Sequence, residues 1–182
     1  MSNVSISDWR VWARADTSPS DTVVQAALDA SETLVAERTQ RYFVVADAAT
    51  AMTFSPYCAG ETVLRIPDCT TVTAVSNDGT TVLAADYQLE PGAGFTTRTR
   101  PIEAIRLTSG SWAFEANRRT VSITATWGWL ALPYEYVHAV KLLTDASIGE
   151  FNSTGVLAPP KVTAEIAEWL VSLRRVESWG IA

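Results

Sequence analysis

The sequence has few of the side chains from which metal centres and nucleophilic sites are built. Its 182 residues include one histidine and two cysteines. Cys58 and Cys69 show neither CxxC nor Cys/His spacing, which predicts two reduced thiols instead of a disulfide framework or a zinc site. No GxGxxG, Walker A, GxSxG or HExxH motif occurs either. We therefore expect no enzyme activity, no cofactor and no metal.

Positive charge and long apolar runs are also scarce. The 14 Lys and Arg against 20 Asp and Glu give a net charge of −6, which argues against a protein that grips nucleic acid by its phosphates. No apolar run reaches the roughly 18 residues that a membrane helix needs. The N-terminal MSNVSISDW lacks the basic and apolar regions of a signal peptide. These absences predict a soluble, cytosolic chain with no membrane partner.

The sequence does contain enough apolar residues for a core, arranged in two periods. Hydrophobic residues make up 47% of the chain and include seven Trp. Helical spacing dominates near both ends, and strand-like alternation with turn signals dominates the middle. We therefore predict one α+β domain, residues 1–182, with a helical body at 1–43 and 133–182. A small antiparallel β-sheet or barrel lobe is expected to be inserted at 54–130.

Capping residues predict where the helices begin and end. The first helix is expected to start at Ser7-Asp8. The second is expected to start with Ser18 as its capping residue, directly before a proline, and to run to about Arg41. Pro133 fits the first turn of a third helix, and Gly149 is expected to end it.

Alternating segments bounded by turn residues predict strands in the middle of the chain. Asp78-Gly79 is a strong hairpin signal, and Pro67-Asp68 is expected to end a strand because proline cannot donate to a ladder. Residues 44–53 show no strong period. Gly92 to Arg100 is expected to be a mobile loop that a neighbour orders, with Phe95 entering a pocket. The predicted strands are Val63–Ile66, Thr71–Val75, Thr81–Leu83, Asp86–Leu89, Ile102–Leu107 and Val121–Trp127.

The residues that could carry chemistry have simpler structural interpretations. His138 lies in the third helix with no second His or Cys nearby in sequence, which favours a surface or capped structural role over a catalytic one. The carboxylate pairs Asp145/Glu150 and Glu165/Glu168 imitate a glycosidase dyad. They fit the solvated faces of amphipathic helices better, because they alternate with apolar residues.

The tryptophans divide into two groups. Trp112, Trp127 and Trp129 are favoured as core residues of the sheet, since a Trp side chain buries a large area. Trp179 follows the last predicted helix and has little chain left to cover it. Docking of Trp179 onto a partner therefore explains it as well as folding back does.

Five segments stand in an order that is typical of one known family. They are AERTQRYF, LRIPD, VTAVSNDGTTVLAADYQLEP, PIEAIRLTSGSW and VSITATWGWLALPYEYVHAVKLLTDA. Together they resemble the head-to-tail connector (adaptor) proteins of long-tailed bacteriophages, over most of the chain from Ser18 to Ile148. The positions that carry the resemblance are Arg41-Tyr42, Leu64 to Pro67, Asp78-Gly79 through Tyr87, Gly128-Trp129, Pro133, Val137 (one residue off the usual spacing) and Ala139.

The resemblance implies a structural virion protein. Adaptors of this family form a ring of about twelve copies below the portal, extend the DNA channel, and offer their lower surface to a stopper or tail-completion protein. By this likeness the partners are the portal protein, the stopper and further copies of the chain, while DNA passes without specific binding. The location implied is the virion neck, after assembly in the host bacterial cytoplasm. A negative channel wall would let DNA slide, although −6 is equally well explained as a charge that keeps the chain soluble.

Other classes of function stay open at this point. The chain could be a non-enzymatic ligand- or protein-binding module whose sheet presents Trp112 and Tyr87, another neck protein such as a stopper, or a small hydrolase that uses carboxylates. For the adaptor, the predicted docking element is the segment from Thr163 to the C-terminus. Its apolar line from Val162 to Leu173 either docks or completes the fold. The residues predicted to contact a partner are Arg174, Arg175, Trp179 and Phe95.

Overall fold

A computed structural model describes residues 3–15, 18–90, 101–116 and 118–173. Within these ranges the chain has four α-helices and one six-stranded antiparallel sheet, which confirms the predicted α+β class. The helices are α1 (Ile6–Ala13), α2 (Asp21–Thr39), α3 (Tyr134–Thr154) and α4 (Ala164–Leu173). The strands are β1 (Thr50–Phe54), β2 (Val63–Asn77), β3 (Thr80–Thr81), β4 (Tyr87–Glu90), β5 (Ile102–Leu107) and β6 (Val121–Trp127).

The chain divides into two compact units. The helical unit consists of Met1–Arg41 and Leu132–Ala182, and the sheet unit is the continuous stretch Tyr42–Ala131. The four helices belong to the first and the six strands to the second.

The starts of the first two helices differ from the predicted ones by two residues each, whereas Pro133 directly precedes α3. Ser5 caps α1, because its hydroxyl accepts the backbone N–H of Asp8 at 3.0 Å, so the predicted start at Ser7-Asp8 is wrong. Ser20, and not Ser18, is the N-terminal flanking residue of α2. That helix ends at Thr39, earlier than expected, because Gln40 adopts a left-handed conformation with φ of 56°.

The third helix is longer than predicted, since Gly149 lies inside it. One glycine in a helix interior costs only about 1 kcal/mol relative to alanine, which the packing of a long helix can offset. The true stop is Gly155, whose φ of 73° places it in the left-handed region and whose N–H donates to the Phe151 carbonyl at 2.7 Å. The glycine that ends the helix is therefore Gly155, beyond the predicted Gly149.

The core of the helical unit lies between α2, α3 and α4. The α2–α3 contact includes two small hydroxyls: the Thr144 oxygen lies 3.1 Å from the Ser31 oxygen and 2.8 Å from the Val140 carbonyl, and Ser31 donates to the Ala27 carbonyl at 2.8 Å. These hydrogen bonds satisfy polar groups that burial would otherwise penalise. The fully buried apolar residues of the two helices are Val24, Ala27, Leu28, Val35, Tyr136, Ala139, Val140 and Leu143.

The strand order in the sheet is β1-β6-β2-β5-β4, and β3 pairs with β2 alone. The predicted strand end at Pro67-Asp68 is wrong, because both residues lie inside β2, which is 15 residues long. The register with β5 shifts between Arg65 and Cys69, and such a bulge is where a sheet can hold a proline. The sequence did not predict β1, whose residues Thr50 to Thr53 are all exposed and show no alternation.

The predicted hairpin at Asp78-Gly79 is confirmed. Both residues have positive φ, 48° and 79°, as a two-residue type I′ turn requires. Asn77 pairs with Thr80 across it. One continuous core cluster lies along the sheet, formed by Leu64, Ile66, Cys69, Val75, Ile105, Leu107, Trp112, Val121, Ile123 and Ala125.

Candidate interaction surfaces

The four residues predicted to contact a partner, Phe95, Arg174, Arg175 and Trp179, lie outside the described residues, as does the predicted loop Gly92 to Arg100. Their roles stay predictions.

The described part of the predicted docking helix faces its own unit. In α4, Ile166, Leu170 and Leu173 are 3%, 5% and 7% exposed. The helix packs on α2 and α3. Up to Leu173 the apolar line therefore completes the helical core, which is the plainer of the two predicted interpretations.

The cysteines differ sharply in their surroundings. Cys69 is fully buried, and that burial, together with the neighbouring Asp68 carboxylate, raises the pKa of its thiol to about 12. Cys58 is exposed. The described residues contain no group of three His, Cys, Asp or Glu that could hold a metal ion. None of their helices is long and apolar enough to cross a membrane.

His138 is packed between two aromatic rings of the helical unit. The Trp12 ring meets it edge-on at 5.7 Å and the Tyr134 ring stacks on it at 5.4 Å. These contacts favour the structural interpretation. The carboxylates once considered as acid–base pairs lie on helix surfaces: Asp145, Glu165 and Glu168 are exposed, and Glu150 is 3.5 Å from the Lys161 ammonium.

The structure corrects the idea of a sheet that presents Trp112 to a ligand. Trp112 is only 1% exposed, and its indole N–H donates to the Thr62 carbonyl at 3.0 Å. Trp129 is also buried, at 4%. Trp127 is half-buried, packs against the core and donates to the Thr50 carbonyl at 2.9 Å. The prediction that these three are core or packing residues is confirmed.

The adjacent residues Arg118 and Arg119 have different surroundings. Arg118 lies 2.7 Å from the Glu115 carboxylate and 3.6 Å from that of Asp78. Its hydrogen bond to Glu115 and both negative charges raise the pKa of its guanidinium. Both of these ion pairs lie within the sheet unit. Arg119 is exposed and lines a groove beside β1.

Strand β1 forms an open edge of the sheet. It pairs with β6 on one side and ends the described strand order on the other. Four of its five residues are exposed. Beside it runs an open groove of about 690 Å³, lined by Ala51, Met52, Thr53, Phe54, Ser55 and Arg119. This is an edge where backbone groups are available to another strand.

The face of the sheet opposite the core has two halves of different chemistry. In β1, β6 and the C-terminal half of β2 it carries small, uncharged side chains, which we call the hydroxyl face: Ala51, Thr53, Thr71, Ala74, Ser122, Thr124 and Thr126. In β4 and β5 the same face carries charge, with Arg106 donating to Glu90 at 2.6 Å. The neutral half adjoins the open edge.

A third exposed feature is an apolar patch formed by Tyr42, Val44, Val45 and Leu130, which are 81%, 48%, 51% and 81% exposed. Its two segments are tied together, because the Trp129 N–H donates to the Val44 carbonyl and the Ala46 N–H donates to the Trp129 carbonyl, each at 2.8 Å. We call it the crossing patch.

Gly128 makes the close approach of these two segments possible. Its φ is 108°, and a Cβ there would lie 2.5 Å from the Val44 carbonyl oxygen. The sequence signal for this site was the Gly-aromatic step after β6. The same step, Gly128-Trp129, carries part of the family resemblance.

No protein-family model matches the chain, and no curated protein matches it by sequence. Solved structures do match. The chain is similar to one from the neck of a native gene transfer agent particle computed with C12 symmetry, with 18% identity and a TM-score of 0.58 over 97% of this chain and 91% of that one.

Two further solved structures show a comparable similarity to this chain. A chain from the neck of the empty particle, computed with C6 symmetry, has 18% identity and a TM-score of 0.56 over 91% of this chain and 84% of that one. A chain from the native particle's virion has 17% identity and a TM-score of 0.57 over 96% of this chain and 90% of that one. At these identities the likeness establishes a shared fold over nearly the whole chain.

Proposed function

We propose that this chain is a structural neck protein of a tailed, phage-like particle, where it acts as a head-to-tail adaptor. The observation that carries the proposal is the fold likeness to neck chains, which extends over 97% of this chain. A fold match that includes both units supports the role better than a match to one common sheet or helix pair would, because single motifs recur in unrelated functions.

The adaptor assembles as a ring of about twelve copies below the portal, extends the DNA channel, and docks a stopper or tail-completion protein. The similar necks were computed with C12 and C6 symmetry, which supports the ring. A closed ring requires each copy to offer two different surfaces that fit each other. DNA passes through without specific binding, and the net charge of −6 suits a wall that does not hold phosphates.

The proposed location is the neck of the virion, after assembly in the host bacterial cytoplasm. The role needs no catalytic residue, cofactor or metal. What it does need is surface for protein contacts, and the open β1 edge, the hydroxyl face and the crossing patch supply that surface.

Copurification with the portal protein of the same particle tests the proposal. We expect the full chain to bind portal directly and to form a cyclic complex visible in class averages from electron microscopy. A chain that binds only a preassembled portal–adaptor complex would be a stopper instead. A chain that stays monomeric with portal and titrates a small ligand would be a binding module, and the proposal would be wrong.

A further inference from the structure

We propose that the open edge of β1 receives the β4 edge of a second copy of this chain, so that the sheet continues from one copy to the next. The inference rests on the ring of the proposed function. It concerns β1 and β4 because these two strands end the sheet order in the described part of the chain.

Strand β1 has none of the features that keep edge strands from pairing. Its sequence, TAMTF, has no charge and no proline, and its five pairs with β6 show no register shift. Natural edges are usually protected by charged residues, prolines or bulges. An exposed edge without them is a template for main-chain hydrogen bonds to an added strand.

The symmetry of a ring indicates which strand pairs with the edge of β1. In a cyclic ring every interface joins two different surfaces of the chain. Pairing of β1 with β1 would need a two-fold axis and could not recur around such a ring. The sheet's other end, β4, supplies a second, different edge whose backbone groups can complement those of β1.

The charges at the two edges are complementary. Arg119 lies at the C-terminal end of β1, since Phe54 pairs with Val121. Strand β4 has a carboxylate at each end, because the exposed Asp86 directly precedes it and Glu90 is its last residue. In the proposed pairing Arg119 would lie near Asp86 if the strands are antiparallel, or near Glu90, which also accepts from Arg106, if they are parallel. The uncharged hydroxyl face beside β1 adds no opposing charge.

Cysteine cross-linking tests this contact. In a Cys58→Ser background, Ala51→Cys or Thr53→Cys is combined with Gln88→Cys, since these residues lie on the face opposite the core. Parallel pairing brings residue 51 near residue 88, and antiparallel pairing brings residue 53 near it. With a short bismaleimide added to assembled rings, we expect one pair to give a ladder of covalent multimers.

The matched control is Ala74→Cys with Gln88→Cys. Ala74 is exposed on the same face but on the interior strand β2, so this pair should give no ladder. Rings that form without a ladder from either test pair would overturn the inference and leave the proposed function standing. Covalent dimers from Ala51→Cys alone would overturn it in favour of two-fold pairing. Failure of the unsubstituted chain to form rings, alone and with portal, would contradict the proposed function itself.

Discussion

The helical unit and the sheet unit close their cores in different ways. In the helical unit, α2, α3 and α4 turn their apolar sides toward one another, and residues such as Ile166 and Leu143 are buried within the unit. In the sheet unit the core cluster follows one face of the sheet, while most of β1 is exposed and the hydroxyl face is exposed or half-buried. The difference suggests that contacts between copies are made by the sheet unit.

The largest expected effect on stability comes from truncating Trp112, which lies in the core cluster on one face of the sheet. Trp112→Ala should destabilise the chain by roughly 3–5 kcal/mol, because it empties a fully buried site and leaves the Thr62 carbonyl without the indole donor. Chemical denaturation measures this. Phe114→Ala is the control, since Phe114 is 45% exposed. A loss at Trp112 no larger than at Phe114 would contradict the described core.

One glycine in each unit sharpens the comparison, because the two should respond with opposite signs. Gly128→Ala should cost roughly 1–3 kcal/mol, since its positive φ and the Val44 oxygen leave no room for a Cβ. Gly149→Ala should stabilise the chain by about 0.5–1 kcal/mol, because it lies within α3 with nothing close to its Cβ. Thermal unfolding of both variants should show one midpoint lowered and one raised.

The elements that were predicted best are those whose local pattern and tertiary setting agree. Strands β5 and β6 were both predicted at their observed bounds, and in β6 the buried residues alternate as the sequence pattern indicates. Asp78-Gly79 was predicted because a two-residue turn demands residues that tolerate positive φ. For these elements the local sequence is enough to predict the observed structure.

The features that were not predicted from the sequence depend on the tertiary structure. Strand β1 shows no alternation, because an exposed edge strand buries almost nothing. Pro67 is tolerated inside β2 only because the register with β5 shifts there. The crossing patch depends on two segments that are distant in sequence, so the Gly-aromatic step of one of them could not reveal it alone. The open edge, which is the centre of our second proposal, was thus invisible to pattern analysis.

The dependence of stability on alkaline pH can be measured for both units, because each contains one buried acidic group. In the sheet unit, the pKa of Cys69 is raised from 9.0 to about 12, so above about pH 9 the unfolded thiol ionises while the folded one stays protonated. Stability should therefore fall as pH rises from 9, by on the order of 1 kcal/mol near pH 10. Cys69→Ala should remove this part of the fall, which denaturation at several pH values would measure.

Burial also raises the pKa of Tyr136 in the helical unit. Its contribution should begin to fall only above the ordinary tyrosine pKa of about 10, and Tyr136→Phe should remove it. If Cys69→Ala leaves the whole curve between pH 9 and 10 unchanged, the thiol is not protected as described. Native labelling gives a second check: a thiol reagent should modify Cys58 rapidly and Cys69 only on unfolding.

The smallest expected effect is a surface charge reversal. Arg119→Glu should leave the stability of the free chain within about 0.5 kcal/mol, because Arg119 is exposed. It should weaken ring assembly about tenfold by placing like charges at the β1–β4 contact. Arg65→Glu, an exposed arginine on the interior strand β2, is the matched control. Equal assembly by the two variants in light scattering would argue against that contact.

Native mass spectrometry of the full chain, alone and mixed with the portal protein, tests the central claim most directly. The account predicts a closed assembly of about twelve copies, either formed by the chain itself or appearing when portal is added. A mass that stays at one chain under both conditions, over the concentrations at which portal is assembled, would contradict it.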